Sequence, residues 1–306
     1  MKLFSKNARV CFIGDSITEG NWFVAHIAAH YKEKHPELNV NFYNCGISGG
    51  WLRVHFINFE TDIMSYNPTD AVIMMGINDS GRDLLKNPPS EKRYEELKRH
   101  YEDYKINLKK LCDMLKSRGV NVILCTPMPY AEYQNSEVET LRGGFALIQG
   151  YAEFVRSFAE KQKIDCCDYH SYAVKIMQSE DIIYPDRVHP LPRGHYYMAK
   201  RFLEFQGEDL GDEKPLPEYM NMWLEQTGKL RNIFATEWMI IKMFDSSDDE
   251  KIAFIKKYLE NKEYAVWGEQ LGEHFKIRAE RYLNDKKNQS QIQKTVQHIM
   301  EVEFKK

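Results

Sequence analysis

Five short apolar runs recur along the first two thirds of the chain, each followed by a polar turn and a stretch with helical spacing. Arg9-Val-Cys-Phe-Ile13 stops at Gly14, Asn39–Tyr43 runs on to Gly46, and Ala71–Met75 stops at Gly76. Val120–Cys125 meets Thr126-Pro-Met-Pro129, and Ile164–Asp168 is the last. Runs this short and this apolar suit strands covered on both faces. Helices are expected over Trp22–Lys34 before Pro36, over Val54–Tyr66, over Ser90–Arg118 with Gly119 as its stop, over Gly143–Gln162 and over Pro192–Phe205. Strands alternating with helices pair in parallel through right-handed crossovers. The expectation is an α/β unit over residues 1–206, a doubly wound parallel five-stranded sheet between two helical layers.

Residues 206–217, Gln-Gly-Glu-Asp-Leu-Gly-Asp-Glu-Lys-Pro-Leu-Pro, are polar and breaker-rich and read as a boundary. An all-helical extension is expected over residues 207–306. Asp248-Asp249-Glu250 suits a helix start ahead of Ile252, Ile255 and Leu259, and Ile292, Val296 and Ile299 repeat the spacing. These stripes, with Trp223, Trp238 and Trp267, read as packing against each other or against the α/β unit.

Composition narrows the function classes. With 42 Lys and Arg against 45 Asp and Glu, the net charge of -3 gives no field for nucleic acid or an anionic membrane. Aromatic content of 13% excludes a disordered chain. No run of about 18 apolar residues is present, so no transmembrane helix is expected, and Met1–Val10 lacks the apolar core of a signal peptide. Cys11, Cys45, Cys112 and Cys125 sit in apolar segments as core residues, Cys166-Cys167 is a poor disulfide pair, and no C-x-x-C spacing supports zinc. A reduced, cytoplasmic protein without metal or cofactor is the simplest reading.

Ligands of open parallel sheets sit at the carboxyl ends of the strands. Those ends carry Gly14-Asp15-Ser16, Asn44-Cys-Gly46-Ile-Ser48-Gly49-Gly50 and Gly76-Ile-Asn78-Asp79, and Asp186-Arg-Val-His189-Pro190 precedes the last helix. Each alone reads equally well as a turn with a helix cap; four in this order at equivalent edges point to chemistry. No Walker-type phosphate loop is present, and Thr18 stands where the elbow of α/β hydrolases has its second glycine. Asp15, Asp79, Asp186 and His189 could also supply metal ligands, but other roles suit these residues better. His55, His170 and His195 have no partner pattern and read as structural.

The four blocks resemble those of the SGNH hydrolase superfamily, the GDSL esterases and lipases, across residues 1 to about 206, with Ile17 where many members have Leu. The resemblance implies a flavodoxin-like three-layer fold and serine ester hydrolysis. It makes Ser16 the nucleophile, His189 its base and Asp186 the carboxylate orienting the imidazole. It assigns the oxyanion to the Ser16 and Gly46 backbone N–H groups and the Asn78 amide, with Asp15 and Asp79 supporting their loops. The implied partner is a small-molecule or glycan ester, with acetyl on a carbohydrate the leading choice and Trp51, Arg53, Tyr130 and Tyr133 the candidate border residues. An acyltransferase, a lysophospholipase or thioesterase, and an inert scaffold remain as alternatives. The extension is read as covering the site, forming a homo-oligomer interface or presenting a glycan partner.

Overall fold

The computed structural model describes residues 2–57 and 59–217. In chain order these form β1 (Arg9–Gly14), α1 (Ser16–Glu19), α2 (Trp22–Lys34), β2 (Asn41–Gly46), α3 (Leu52–Ile57) and β3 (Asp70–Met74). There follow α4 (Glu91–Ser117), β4 (Asn121–Cys125), α5 (Gly144–Gln162), β5 (Asp165–Cys167), α6 (Tyr169–Ile176) and α7 (Pro192–Phe205). All five strands are parallel in the order β2-β1-β3-β4-β5. The chain steps outward from β1 to β2 and then returns across β1 to β3. That reversal places a crevice at the carboxyl ends of β1 and β3.

Period-two alternation divides the core. Val10 and Phe12 of β1 face the layer built by α2, α6 and α7, where they meet Phe23, Tyr169 and Phe202. Cys11 and Ile13 face α3, α4 and α5, with Leu52, Leu108 and Tyr151. Val10 through Ile13 are each at most 1% exposed, as a strand covered on both faces requires. Burial of each large side chain contributes roughly 1.5–3 kcal/mol. Cys11, Cys45, Cys112 and Cys125 are buried free thiols, as expected.

Most helix boundaries follow local chemistry. Ser90 Oγ accepts the Arg93 N–H at 3.2 Å and opens α4, and Gly119, at φ 75°, closes its exit. Three departures from the expected elements have clear causes. The expected helix over 54–66 is α3 followed by a π-turn at Phe59–Ile63 and a 3-10 turn at Met64–Tyr66; Phe59 and Ile63 stay on the buried side, so the apolar spacing reads through the change of pitch. β2 starts two residues later than expected because Asn39 takes the left-handed conformation, φ 47°. The unanticipated α6 is too short for periodicity and is set by its cap, Asp168 Oδ1 accepting the Ser171 N–H at 3.1 Å.

The described residues all fall within one unit of the chain, Met1–Thr227. Residues 207–217 are non-helical, and Leu216 packs on Ala25 and Ala29 of α2. The helices expected in the extension fall outside the described residues. Among the described residues no helix is long and apolar enough to cross a membrane.

Two glycines separate packing from propensity. A Cβ at Gly46 would stand 2.3 Å from the Glu19 nitrogen, inside the backbone of α1, whereas a Cβ at Gly150 in α5 meets nothing within 4 Å. Gly150→Ala should therefore stabilise the protein by about 0.5–1 kcal/mol. Gly46→Ala should destabilise it by more than about 2 kcal/mol. Urea unfolding of both variants checks the pair; similar, small effects at the two positions would contradict the packing.

Candidate active site

Ser16 is the first residue of α1, directly beyond the end of β1. Asp15 caps that helix through Oδ1, which accepts the Ile17 N–H at 3.0 Å. Ser16 Oγ lies 2.8 Å from His189 Nε2, although 173 residues separate them. On the other side of the ring, His189 Nδ1 is 2.6 Å from Asp186 Oδ2. Asp186 Oδ1 accepts the N–H groups of Val188 and His189, both at 2.9 Å. Partial burial works against the Asp186 charge, but these N–H groups and the ring outweigh it and hold the carboxyl below its ordinary value. A charged Asp186 keeps the proton on Nδ1, which turns the Nε2 lone pair toward the Ser16 hydroxyl. The structure thus brings together the three residues singled out in the first and last motifs.

Arg187, between them, drew no attention in the sequence. It adopts φ 67° and is 2% exposed. Its guanidinium donates to the carbonyls of Ala131, Glu132, Gln134, Ser136 and Val138 over 2.7–3.3 Å. The Ala131 N–H returns a bond to the Arg187 carbonyl at 2.9 Å. This fork of donors clamps the loop after β4 to the Asp186–His189 loop. An arginine inside the motif was the only sequence signal, and its five acceptors have no side-chain signature.

Asn78 lies beyond β3. Its Nδ2 donates to Gly50 O at 3.1 Å, and its Oδ1 accepts from Arg82 Nη1 at 3.3 Å. Held at both ends, the amide keeps a second N–H for another acceptor. The Gly46 N–H donates to Asn44 Oδ1 at 2.8 Å, and its backbone is not left-handed. What requires glycine there is the backbone of Thr18 and Glu19 pressed against it. Asn44 Nδ2 reinforces that contact, donating to Thr18 O at 2.7 Å.

The supporting carboxylates are buried. Asp79 Oδ1 accepts the Leu52 N–H at 2.9 Å while its Oδ2 has no hydrogen-bond partner. Burial pushes the Asp79 carboxyl to about 7, partly offset by the Leu52 N–H and reinforced by nearby Asp15. Burial likewise raises Asp15 to about 6, against the Ile17 N–H and the neighbouring His189. His55, lowered by burial to about 4, is neutral near pH 7 and donates from Nε2 to Gly14 O at 3.1 Å. His195 is lowered by burial to about 3 and stacks on Phe23 with ring centroids 6.2 Å apart. Asp15, Asp79, Asp186 and His189 do not converge as a metal cluster among the described residues.

A cavity of about 320 Å³ opens beside Asn78, lined also by Trp51, Arg82, Leu84 and His100. Trp51 is 44% exposed and meets the His100 ring edge-on at 5.4 Å. Tyr130 does not border an opening as anticipated: it is buried, its hydroxyl accepting the Leu141 N–H at 3.0 Å. Arg53 is engaged with Asp103 at 3.1 Å.

Residues 12–197 match the GDSL-like lipase/acylhydrolase family. The chain is 28% identical over 215 residues to an acetylxylan esterase of Geobacillus stearothermophilus, an alignment that spans 64% of this chain and 92% of that one. A solved mutant of an acetylxylan esterase from the same organism superposes with a TM-score of 0.58 at 25% identity, over 70% of this chain and all of the other. A gut microbial diltiazem-metabolizing enzyme gives a TM-score of 0.62 at 25% identity over 68% of this chain, which spans 48% of that longer protein.

Replacing Arg187 by Met should cost at least about 3 kcal/mol of unfolding free energy, because several buried carbonyls lose their donor. Arg187→Lys, with three donors in place of five, should recover part of it; a neutral Arg187→Met would contradict the clamp. For Asp79, a folded value of about 7 against the ordinary 3.8 means the folded state retains a proton that the unfolded chain releases. Stability should fall as pH rises from about 4 to 7. Asp79→Asn should therefore raise the melting temperature at pH 8 and lose most of that gain at pH 5. An equal effect at both pH values would contradict the burial argument.

Proposed function

The chain belongs to the GDSL-like lipase/acylhydrolase family and is a carboxylic ester hydrolase, and on that premise we propose that it removes a small acyl group, acetyl, from a carbohydrate through an acyl-enzyme on Ser16. The observation that carries this reading is the linked pair of contacts, Ser16 Oγ to His189 Nε2 at 2.8 Å and His189 Nδ1 to Asp186 Oδ2 at 2.6 Å.

In the proposed reaction Ser16 Oγ attacks the ester carbonyl while His189 Nε2 accepts its proton. Asp186 holds the ring and stabilises the imidazolium. The oxyanion meets the Ser16 N–H, which opens α1 and has no acceptor within that helix, and the second N–H of Asn78. Gly46 contributes by sharing its N–H between Asn44 Oδ1 and the oxyanion. Collapse expels the sugar alcohol, protonated by His189, and water repeats the sequence on the acyl group. Loss of one oxyanion donor typically costs ~10²–10³ in rate. Asp15 and His55 act through the backbone around Ser16 rather than on substrate.

Two further points support the reading. Solved catalytic mutants of the Geobacillus esterase carry alanine in place of a serine, of an aspartate and of a histidine three positions beyond it. Asp186 and His189 have that spacing. The exposed Trp51 face beside Asn78 suits stacking on a sugar ring, for which the 320 Å³ cavity has room. We place the hydrolase unit at residues 1–206 with 207–306 as an extension to it.

The test combines Ser16→Ala with a series of acyl nitrophenyl esters and acetylated xylo-oligosaccharides. Ser16→Ala should fold with an unchanged melting temperature and lose at least about 10³-fold in kcat. Activity should fall steeply beyond about four acyl carbons. A preference for long chains would place the enzyme with lysophospholipases or thioesterases, and transfer to an acceptor sugar exceeding hydrolysis would make it an acyltransferase. An inert wild type would leave a scaffold.

A further inference from the structure

Away from Ser16, the end of α2 meets the segment that leaves α7. His30 lies near the C-terminal end of α2, His35 is its C-cap, and Glu208 lies two residues beyond the α7 C-cap, Gln206. Each backbone is fixed by a helix ending. The His35 N–H donates to Tyr31 O at 2.9 Å. Gly207, at φ 86°, donates to Glu204 O at 3.0 Å, and the Glu208 N–H donates to Leu203 O at 2.9 Å. That pair of bonds is a Schellman ending. The two helix ends are joined directly, because the Tyr31 hydroxyl donates to Gln206 Oε1 at 3.0 Å and accepts the Phe4 N–H at 3.1 Å.

The side chains so placed crowd one oxygen. Glu208 Oε2 is 2.9 Å from His30 Nε2 and 3.0 Å from His35 Nε2, and the three atoms lie within 4.8 Å of one another. The His30 side chain is 4% exposed. His35 Nε2 approaches the carboxylate off hydrogen-bonding alignment, and this buried nitrogen has no hydrogen-bond partner. As placed, the carboxylate makes an aligned hydrogen bond to His30 and leaves His35 Nε2 without one. A cation among the three atoms would satisfy both rings, because each atom offers a lone pair to it.

We propose that His30 Nε2, His35 Nε2 and the Glu208 carboxylate bind one Zn²⁺-class divalent cation, with water completing a four-coordinate shell. Two imidazoles with one carboxylate favour zinc or a similar transition metal over calcium or magnesium, which take oxygen ligands. Bonds of about 2.0–2.1 Å in a tetrahedron separate ligand atoms by about 3.3 Å; Glu208 Oε2 stands a few tenths of an ångström inside that spacing from each ring, and the two Nε2 atoms, within 4.8 Å of each other, would draw together on the ion. Glu37 Oε1, 3.8 Å from His35 Nδ1, stands where an outer partner orients a ligating ring. Glu208 is 178 residues from His30. The unfolded chain therefore offers no such site, and binding adds to folding stability. The ion would lock α2 to the point where the chain leaves α7, as a structural clasp apart from ester chemistry.

The test uses the full chain, freed of any affinity tag and stripped of metal, titrated with zinc against a chromogenic chelator and followed by melting temperature. One zinc per chain and a rise of roughly 5–10 °C at hundredfold excess over Kd are expected. His35→Ala and Glu208→Gln should each weaken binding by at least roughly 100-fold, since loss of an outer partner alone costs 10–100-fold. Both should abolish the melting shift and leave ester turnover without metal unchanged, which also shows that they fold. If either is misfolded by that criterion, His35→Asn replaces it. Zinc binding no tighter than millimolar in the wild type, or wild-type affinity in both variants, would overturn the site.

Discussion

The burial of β1 on both faces, between β2 and β3, is the constraint on which the rest of the structure depends. Val10 to Ile13 have no exposed side, so the carboxyl end of the strand cannot shift without disturbing both helical layers. Gly14 and Ser16 are delivered from that end. Three further contacts fix the turn of Ser16, the proposed nucleophile, from outside: Asp15 caps α1, His55 holds the Gly14 carbonyl, and Gly46 lets the α1 backbone press against the end of β2. In the proposed reaction a serine hydroxyl placed in this way has little freedom to lose, which is how a rigid scaffold lowers a barrier.

The opposing half of the site is built by local loop chemistry. Asp186 and His189 are three residues apart, and two N–H bonds within the loop orient the carboxylate before it meets the ring. The loop itself is anchored by Arg187, whose charge is spread over five carbonyls in place of a counter-ion. Asp15 and Asp79 pull in the other direction. Both are buried near Ser16, and burial raises both carboxyls, a cost in stability that is concentrated at the candidate site.

Much of this was legible in the sequence, and the reason is physical. A fully buried strand has to be apolar and short, and a parallel sheet has to end in turns, so β1, β3 and β4 stand out and α2 and α7 match their expected ranges. The motif residues share one edge because topology puts strand ends there. What was hidden depends on contacts without local pattern. α6 is held by a cap, the pitch change after α3 keeps the same buried face, and Arg187 recognises backbone atoms. The need for glycine at position 46 belongs with these, because the group pressed against it is the backbone of α1, distant in the sequence. Tyr130 looked like a border residue and is core, because its hydroxyl finds a backbone partner inside the fold.

Among the described residues, Ser16 is proposed as the hydroxyl that an imidazole activates. That activation is tested most directly by treating the folded protein with a fluorophosphonate and locating the adduct by peptide mass spectrometry. The account predicts a single stoichiometric adduct on the peptide containing Ser16, formed far more slowly in His189→Ala and Asn78→Ala. An unlabelled protein, or an adduct on another residue while Ser16 stays free, would contradict it.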